Sequence, residues 1–249
     1  MKLAFLTAAD PIYLPNFFDI VLGDFAAQTD HVYSVPPLYK GQSAVNAAWR
    51  YYRTFGATAV VGLLKQLIAA QAARNSIKHV CARHGVSHAV VRDVNAPEFV
   101  AELASRHLDV VVSVSCPQIF KRALLETPSV GCLNIHGALL PEYRGIMPSF
   151  WMLANRERRA GVTVYFMNEE IDAGDIAEQR TFDIFPTETL DGFLRRSKAA
   201  AAEVLLDVLR SIEVGTLAAA PMDMTKGSYY SWPDVEAVRR FRASGHKLW

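Results

Sequence analysis

Asn134 and His136 stand two residues apart in the segment CLNIHGALLPEYRG, residues 132–145. A carboxamide offers both donors and an acceptor, and an imidazole titrates near neutrality, so the pair can hold a polar ligand or pass a proton. The run up to His136 reads as a buried strand. On a strand, residues i and i+2 share a face, so Asn134 and His136 project together while Leu133 and Ile135 pack on the other side. The strand ends where Gly137 opens the loop, and open parallel sheets bind ligands beyond the carboxyl ends of their strands. Two core polar groups satisfied by their neighbours would leave the same local pattern. Downstream, in NEEIDAGD, Asp172 precedes Gly174 in a turn between two strands. Acids in such turns commonly bond the local backbone. The loop GALLPEYRG sets Leu139, Leu140 and Pro141 between glycines with neither strand nor helix period, as expected of a loop that wraps a ligand or a neighbouring element.

The elements that must position these groups follow from hydrophobic periodicity. KLAFLT, HVYSV, SHAVVRDV, LDVVVSVS and PSVGCLNIH read as strands. IYLPNFFDIVLGDFAAQ and APEFVAELASRH, the latter opened by Pro97, read as helices, and a short helix is expected around residues 118–126. The alternation predicts an α/β fold with a parallel sheet covered on both faces. Residues 44–83 read as two or three helices broken near Gly56 and Asn75, long for a crossover and suited to a cap or a dimer surface. A helix is expected from about Pro148 to Asn155, then strands GVTVYFMN and AEQRTFDI, then one long closing helix from Thr187 to about Glu213. The tail, residues 215–249, reads as irregular with a short helix in PDVEAVRRFRA. The expected organisation is one domain over 1–214 and a tail over 215–249.

Composition excludes several classes. With 249 residues, 51% apolar and 20% charged, the chain has ample material for a core without disulfides. A net charge of +1 gives no bulk field for nucleic acid, and the Arg156/Arg158/Arg159, Arg195/Arg196/Lys198 and Arg239/Arg240/Arg242 clusters read as solvated helix faces. Three cysteines, Cys81, Cys116 and Cys132, without C-x-x-C spacing fit neither a disulfide framework nor a zinc cluster, and suit a reducing cytoplasm. The N-terminus is unlike a signal peptide, and Lys65 and Gln66 interrupt the most apolar stretch, so no membrane partner is expected.

NIHGALLPEYRG followed by GVTVYFMNEEIDAGDI resembles the signature of the folate-dependent formyltransferases, best from about Leu108 to Ile184. The resemblance implies a Rossmann-like formyltransferase fold: a mostly parallel sheet with helices on both faces, here with a helical insert and a short C-terminal tail. It implies a catalytic trio of Asn134, His136 and Asp172, with no metal. Asn134 would donate to a developing oxyanion, where one lost donor typically costs about 3 to 4 kcal/mol. His136 would polarise the formyl oxygen or assist proton transfer, and Asp172 would orient His136. N10-formyltetrahydrofolate would be the co-substrate, held by Cys116, Pro117, Gln118, Ile119 and Phe120 of SCPQIFK, with Leu139 and Asp172. An acceptor pocket is implied at Gly137, Tyr143, Arg144, Gly145, Met147, Pro148 and Trp151, with Tyr229 and Tyr230 from the tail. Trp151 would equally suit the core, and the paired tyrosines would equally serve as packing anchors. This chain has Cys116 and Pro117 where members often carry a small residue, and Ala138 where they often carry Ser.

The acceptor expected is a small-molecule amine, a nucleotide-linked amino sugar first. The residues after the closing helix are too few for the β-barrel domain of the methionyl-tRNA enzymes, and LTAADPIYLPN lacks the glycines of a phosphate loop. Formyltetrahydrofolate hydrolysis, methionyl-tRNA formylation and non-catalytic folate binding remain the alternatives. A homodimer through the helical insert or the tail ending in Leu248 and Trp249 is also expected.

Overall fold

The computed structural model describes residues 1–36 and 43–249. In chain order they form β1 (Leu3–Ala8), α1 (Leu14–Phe25), β2 (Thr29–Val35), α2 (Ala44–Phe55), α3 (Ala57–Ala72), α4 (Ile77–Arg83) and β3 (Ser87–Val90). Then come α5 (Pro97–Ser105), β4 (Val110–Val114), α6 (Arg122–Leu125), β5 (Gly131–His136), β6 (Arg144–Gly145) and α7 (Pro148–Ala154). The chain continues through β7 (Arg159–Phe166), β8 (Ile176–Asp183), α8 (Leu190–Glu213), β9 (Tyr229–Tyr230) and α9 (Val235–Ala243).

Seven strands make one sheet in the order β3-β2-β1-β4-β5-β7-β8. β1 to β5 run parallel, and β7 and β8 are antiparallel additions at one edge. This is the expected α/β, mostly parallel architecture. Period-two alternation explains why both faces are covered: Leu3 and Phe5 of β1 join one core with α1 and α8, while Ala4 and Leu6 join another with Phe99 of α5 and Leu124 of α6. β5 follows the same rule, with Leu133 and Ile135 in the first core and Cys132 in the second. Asn134 and His136 therefore leave the sheet on the α5–α6 face, at its carboxyl end.

A third core lies beside the sheet. It joins Phe55 of α2, Phe150 and Leu153 of α7, Phe193 of α8 and Phe241 of α9. Phe150 and Phe241 stack with ring centroids 5.0 Å apart. The tail contains the expected short helix, α9, packed into this core, and, unexpectedly, a strand: β9 pairs in parallel with β6, Arg144 opposite Tyr229 and Gly145 opposite Tyr230.

Three expected elements are shorter than the sequence suggests. The helix around 118–126 is confined to Arg122–Leu125, because Asn95 reaches across to the Ile119 carbonyl and the Lys121 amide and holds them in non-helical backbone. The strand in SHAVVRDV stops at Val90, on the sheet edge, and the helix after β1 begins at Leu14, with Pro15 in its first turn. In the insert, α2 and α3 leave Val45, Trp49, Tyr52, Val61, Leu64 and Ile68 exposed. Among the described residues, no helix is long and apolar enough to cross a membrane.

Candidate active site

Antiparallel pairing sets Asn134 opposite Tyr165 and His136 opposite Thr163. Asn134, His136 and Asp172 meet at the end of β5. The His136 Nε2 lies 2.7 Å from the Tyr143 carbonyl oxygen, which can only accept, so the proton of the neutral ring sits on Nε2 and the lone pair on Nδ1. Nδ1 faces Asp172 Oδ1 at 3.8 Å, too far for a hydrogen bond. The expectation that Asp172 orients His136 is therefore corrected: the Tyr143 carbonyl fixes the ring. Asp172 is itself held from two sides, Oδ1 accepting from the Tyr165 hydroxyl at 2.9 Å and Oδ2 from the Gly145 amide at 2.9 Å. The Asn134 Nδ2 donates to the Tyr165 oxygen at 2.8 Å.

Strain concentrates around these groups. Ser115, Tyr143, Met147 and Asp172 are non-glycine residues with φ between 52° and 57°, each costing of order 1 kcal/mol. Local bonds compensate: the Tyr143 amide donates to Ser228 Oγ at 2.9 Å, and Asp172 has the two bonds just described.

The trio opens into a cleft of ≈ 660 Å³. Of the residues expected to hold folate, Cys116, Pro117, Gln118, Ile119, Phe120 and Asp172 line it. Gln118 is tied to the Val94 amide and the Arg92 carbonyl, so its side chain braces the neighbouring loop. Burial pushes the Cys116 thiol up to about 11, which leaves it unreactive at neutral pH. Leu139 is not part of the lining; its side chain packs on Gly161 of β7. The apolar loop wraps a neighbouring element, as Thr163 Oγ1 and Gln179 Nε2 bond the Ala138 and Leu140 carbonyls confirm.

Of the residues expected at the acceptor, Gly137, Gly145, Met147, Pro148 and Tyr229 line the cleft. Tyr143, Arg144, Trp151 and Tyr230 do not. Trp151 is a core residue whose Nε1 donates to the Ser231 carbonyl at 3.1 Å. Tyr230 is an anchor, stacked on Tyr143 with centroids 5.0 Å apart and tilted on Trp151 at 4.8 Å. Arg144 donates to the Ile171 carbonyl, tying β6 to the Asp172 turn.

Two groups in the lining were missed. Tyr165 completes an i, i+2 polar pair with Thr163 on β7, the same signal that marked Asn134 and His136 on β5. Lys198 lies with Leu194, Ala201 and Leu205 on the buried stripe of α8, a charge where the spacing calls for an apolar residue. Its assignment to a solvated face is corrected: Nζ reaches into the cleft and donates to Ser115 Oγ at 2.8 Å. Burial holds its amine below the usual lysine range, with Asp10 opposing. His136 is shifted likewise, its pKa lowered chiefly by burial and only partly restored by Asp172. Among the described residues, no cluster of three or more His, Cys, Asp or Glu could hold a metal ion.

Comparison with known proteins adds family and fold. A family model described as formyl transferase matches residues 57–209. The methionyl-tRNA formyltransferase of Geobacter metallireducens is 36% identical over 147 residues, covering 59% of this chain and 47% of the relative. The chain thus spans about half the length of the curated relatives it matches. Among solved structures, a sugar N-formyltransferase from Shewanella is similar with a TM-score of 0.62 at 19% identity, covering 98% of this chain and 88% of that one. An N-formyltransferase from Helicobacter canadensis, in complex with folinic acid and dTDP-3-aminofucose, gives 0.60 at 18% identity, covering 93% and 71%. At such identities these two likenesses concern the fold.

Proposed function

The chain belongs to the formyl transferase family, and from that premise we propose that it moves a formyl group from N10-formyltetrahydrofolate to the primary amine of a small anionic acceptor, a nucleotide-linked amino sugar first. The observation that carries this reading is the convergence at the strand end. A lone pair on His136 Nδ1 faces a carboxylate 3.8 Å away, beside the Asn134 carboxamide. Two acceptors across such a gap suit a protic group such as an amine.

The donor set fits a folate. Irregular backbone at Cys116–Phe120 and apolar side chains at Ile119, Ile146, Met147 and Ile171 form the cleft walls, suited to a flat ring system edged by hydrogen-bonding groups. When bound, the folate supplies a formyl carbon activated by its nitrogen. Asn134, with one N–H engaged by Tyr165, has a second to offer an oxygen on which negative charge develops. As the amine nitrogen bonds to the formyl carbon, neutral His136 takes its proton at Nδ1 and returns it to the folate nitrogen when the bond to that nitrogen breaks, and the Asp172 carboxylate stabilises the imidazolium between the two transfers. Lys198 forms no ion pair among the described residues and presents a cation to the cleft, which supports an acceptor carrying phosphate or carboxylate.

The curated relatives favour a second acceptor, methionyl-tRNA. One experiment separates the readings: incubate the protein with N10-formyltetrahydrofolate alone, with dTDP-3-aminofucose, and with methionyl-tRNA. Tetrahydrofolate release that depends on the sugar supports the first reading, and dependence on methionyl-tRNA the second. Formate release without acceptor indicates hydrolysis, and no turnover in any arm rules out both of these acceptors. The exposed apolar residues of α2 and α3 support self-association through the insert.

A further inference from the structure

We propose that Tyr165 is a positioning residue that sets the orientation of the Asn134 carboxamide and the placement of the Asp172 carboxylate for the reaction; the inference rests on the formyl-transfer reading of the site. Tyr165 is 2% exposed, and its hydroxyl lies between the two groups, 2.8 Å from Asn134 Nδ2 and 2.9 Å from Asp172 Oδ1.

The directions of these bonds are forced. A phenol has one proton to give, and an ionised carboxylate can only accept, so that proton points to Asp172. The oxygen must then accept from its other neighbour, which obliges Asn134 to turn its NH2 group toward Tyr165. Burial raises the Tyr165 pKa, with the Asp172 charge adding to the effect, so the hydroxyl keeps its proton throughout the neutral range. With one N–H committed, the second N–H and the carbonyl oxygen of Asn134 take fixed directions. A free carboxamide would sample both flips and lose donor geometry in half of them.

Two backbone features aim the phenol. Regular antiparallel pairing with β5 sets Tyr165 directly opposite Asn134 and on the face shared with Thr163, so the phenol projects beside the carboxamide. Gly174 then brings the Asp172 turn down on the strand: a Cβ there would lie 1.6 Å from the Phe166 carbonyl oxygen and 3.4 Å from the Tyr165 ring. The turn sits against Tyr165 because that position has no side chain.

The test is Tyr165→Phe, which removes only the hydroxyl. With N10-formyltetrahydrofolate and dTDP-3-aminofucose, we expect kcat to fall about 10- to 100-fold, the effect of losing a hydrogen bond to a charged group. KM for the sugar and the Kd for folinic acid should stay close to wild type, with kcat read well below the unfolding midpoint of the variant. Unchanged kcat would overturn the inference, as would a loss that follows folinic acid affinity. A second measurement needs neither turnover nor the variant's stability. In the wild-type protein the Asn134 side-chain amide, assigned by its disappearance in Asn134→Asp, should show one Nδ2 proton exchanging slowly with solvent. Rapid exchange of both protons would overturn the proposal. If the wild type turns over no acceptor but the amide proton is protected, the reading of the reaction fails while the geometric assignment of Tyr165 stands.

Discussion

His136 has its ring nitrogens divided between two tasks, Nε2 bound to the Tyr143 carbonyl and Nδ1 facing the cleft. Burial lowers its pKa below the ordinary 6.5. The unfolded chain therefore takes up this proton first as pH falls, and stability contributed by the neutral buried ring is complete above 6.5 and declines below it. Turnover depends on the folded protein's lone pair, so the acidic limb of kcat/KM, which reports the free enzyme, should have its midpoint below pH 6.5, as a pH–rate profile would show. A limb at or above 6.5 would contradict a buried neutral base. Asn134→Ala should lower kcat by about 10²- to 10³-fold with a smaller change in KM, read by steady-state kinetics. At this scale the sequence was informative where polar residues recur at i, i+2 on a strand that ends in glycine. It was uninformative about Asp172, whose tie to Tyr165 depends on how the β7–β8 turn folds back over the strand. It misled at Lys198, because adjacent Arg195 and Arg196 hide the apolar stripe that the lysine interrupts.

Among the elements, the β6–β9 ladder is the one that local pattern could not reveal. Each strand has two residues, and the partners lie far apart in the chain, so neither leaves a period to read. Its effect on the site is direct. Tyr143, whose carbonyl holds His136, immediately precedes this short strand, and Gly145, whose amide holds Asp172, ends it. Gly145 has φ +95°, and a Cβ there would lie 2.3 Å from the Tyr230 carbonyl oxygen. Gly145→Ala should therefore cost about 2 kcal/mol or more in urea unfolding. It should lower kcat as well, since the same shift moves the amide that fixes Asp172. The strands of the main sheet, by contrast, were legible from their apolar runs. Their ends were less so: Asn95 fixes the backbone at Ile119 and Lys121, so the expected helix survives only from Arg122.

Across the whole molecule, three cores share the load, two on the faces of the sheet and one joining insert, α7 and tail. The two-faced sheet follows from strand–helix alternation, whereas the third core is built from distant aromatic residues that no single segment announces. The insert buries Phe55 and Ala59 in that core while leaving Leu64 and Ile68 exposed on α3. Such a face is expected to be covered by a second copy, and light scattering should give the mass of two chains. Leu64→Glu with Ile68→Glu should give the mass of one. A wild-type mass of one chain at all concentrations would exclude this association.

The β6–β9 pairing also carries a consequence for biosynthesis. All seven strands of the main sheet precede residue 184, so a nascent chain can lay down the sheet while its tail is still being made. The loop that holds His136 and Asp172 cannot close until Ser228 to Tyr230 have emerged to meet it. The tertiary framework should therefore form before the site is complete, competence waiting on the segment from Ser228 to Tyr230. A released chain truncated after Glu213 would be protease-resistant in its sheet and inert toward the formyl donor.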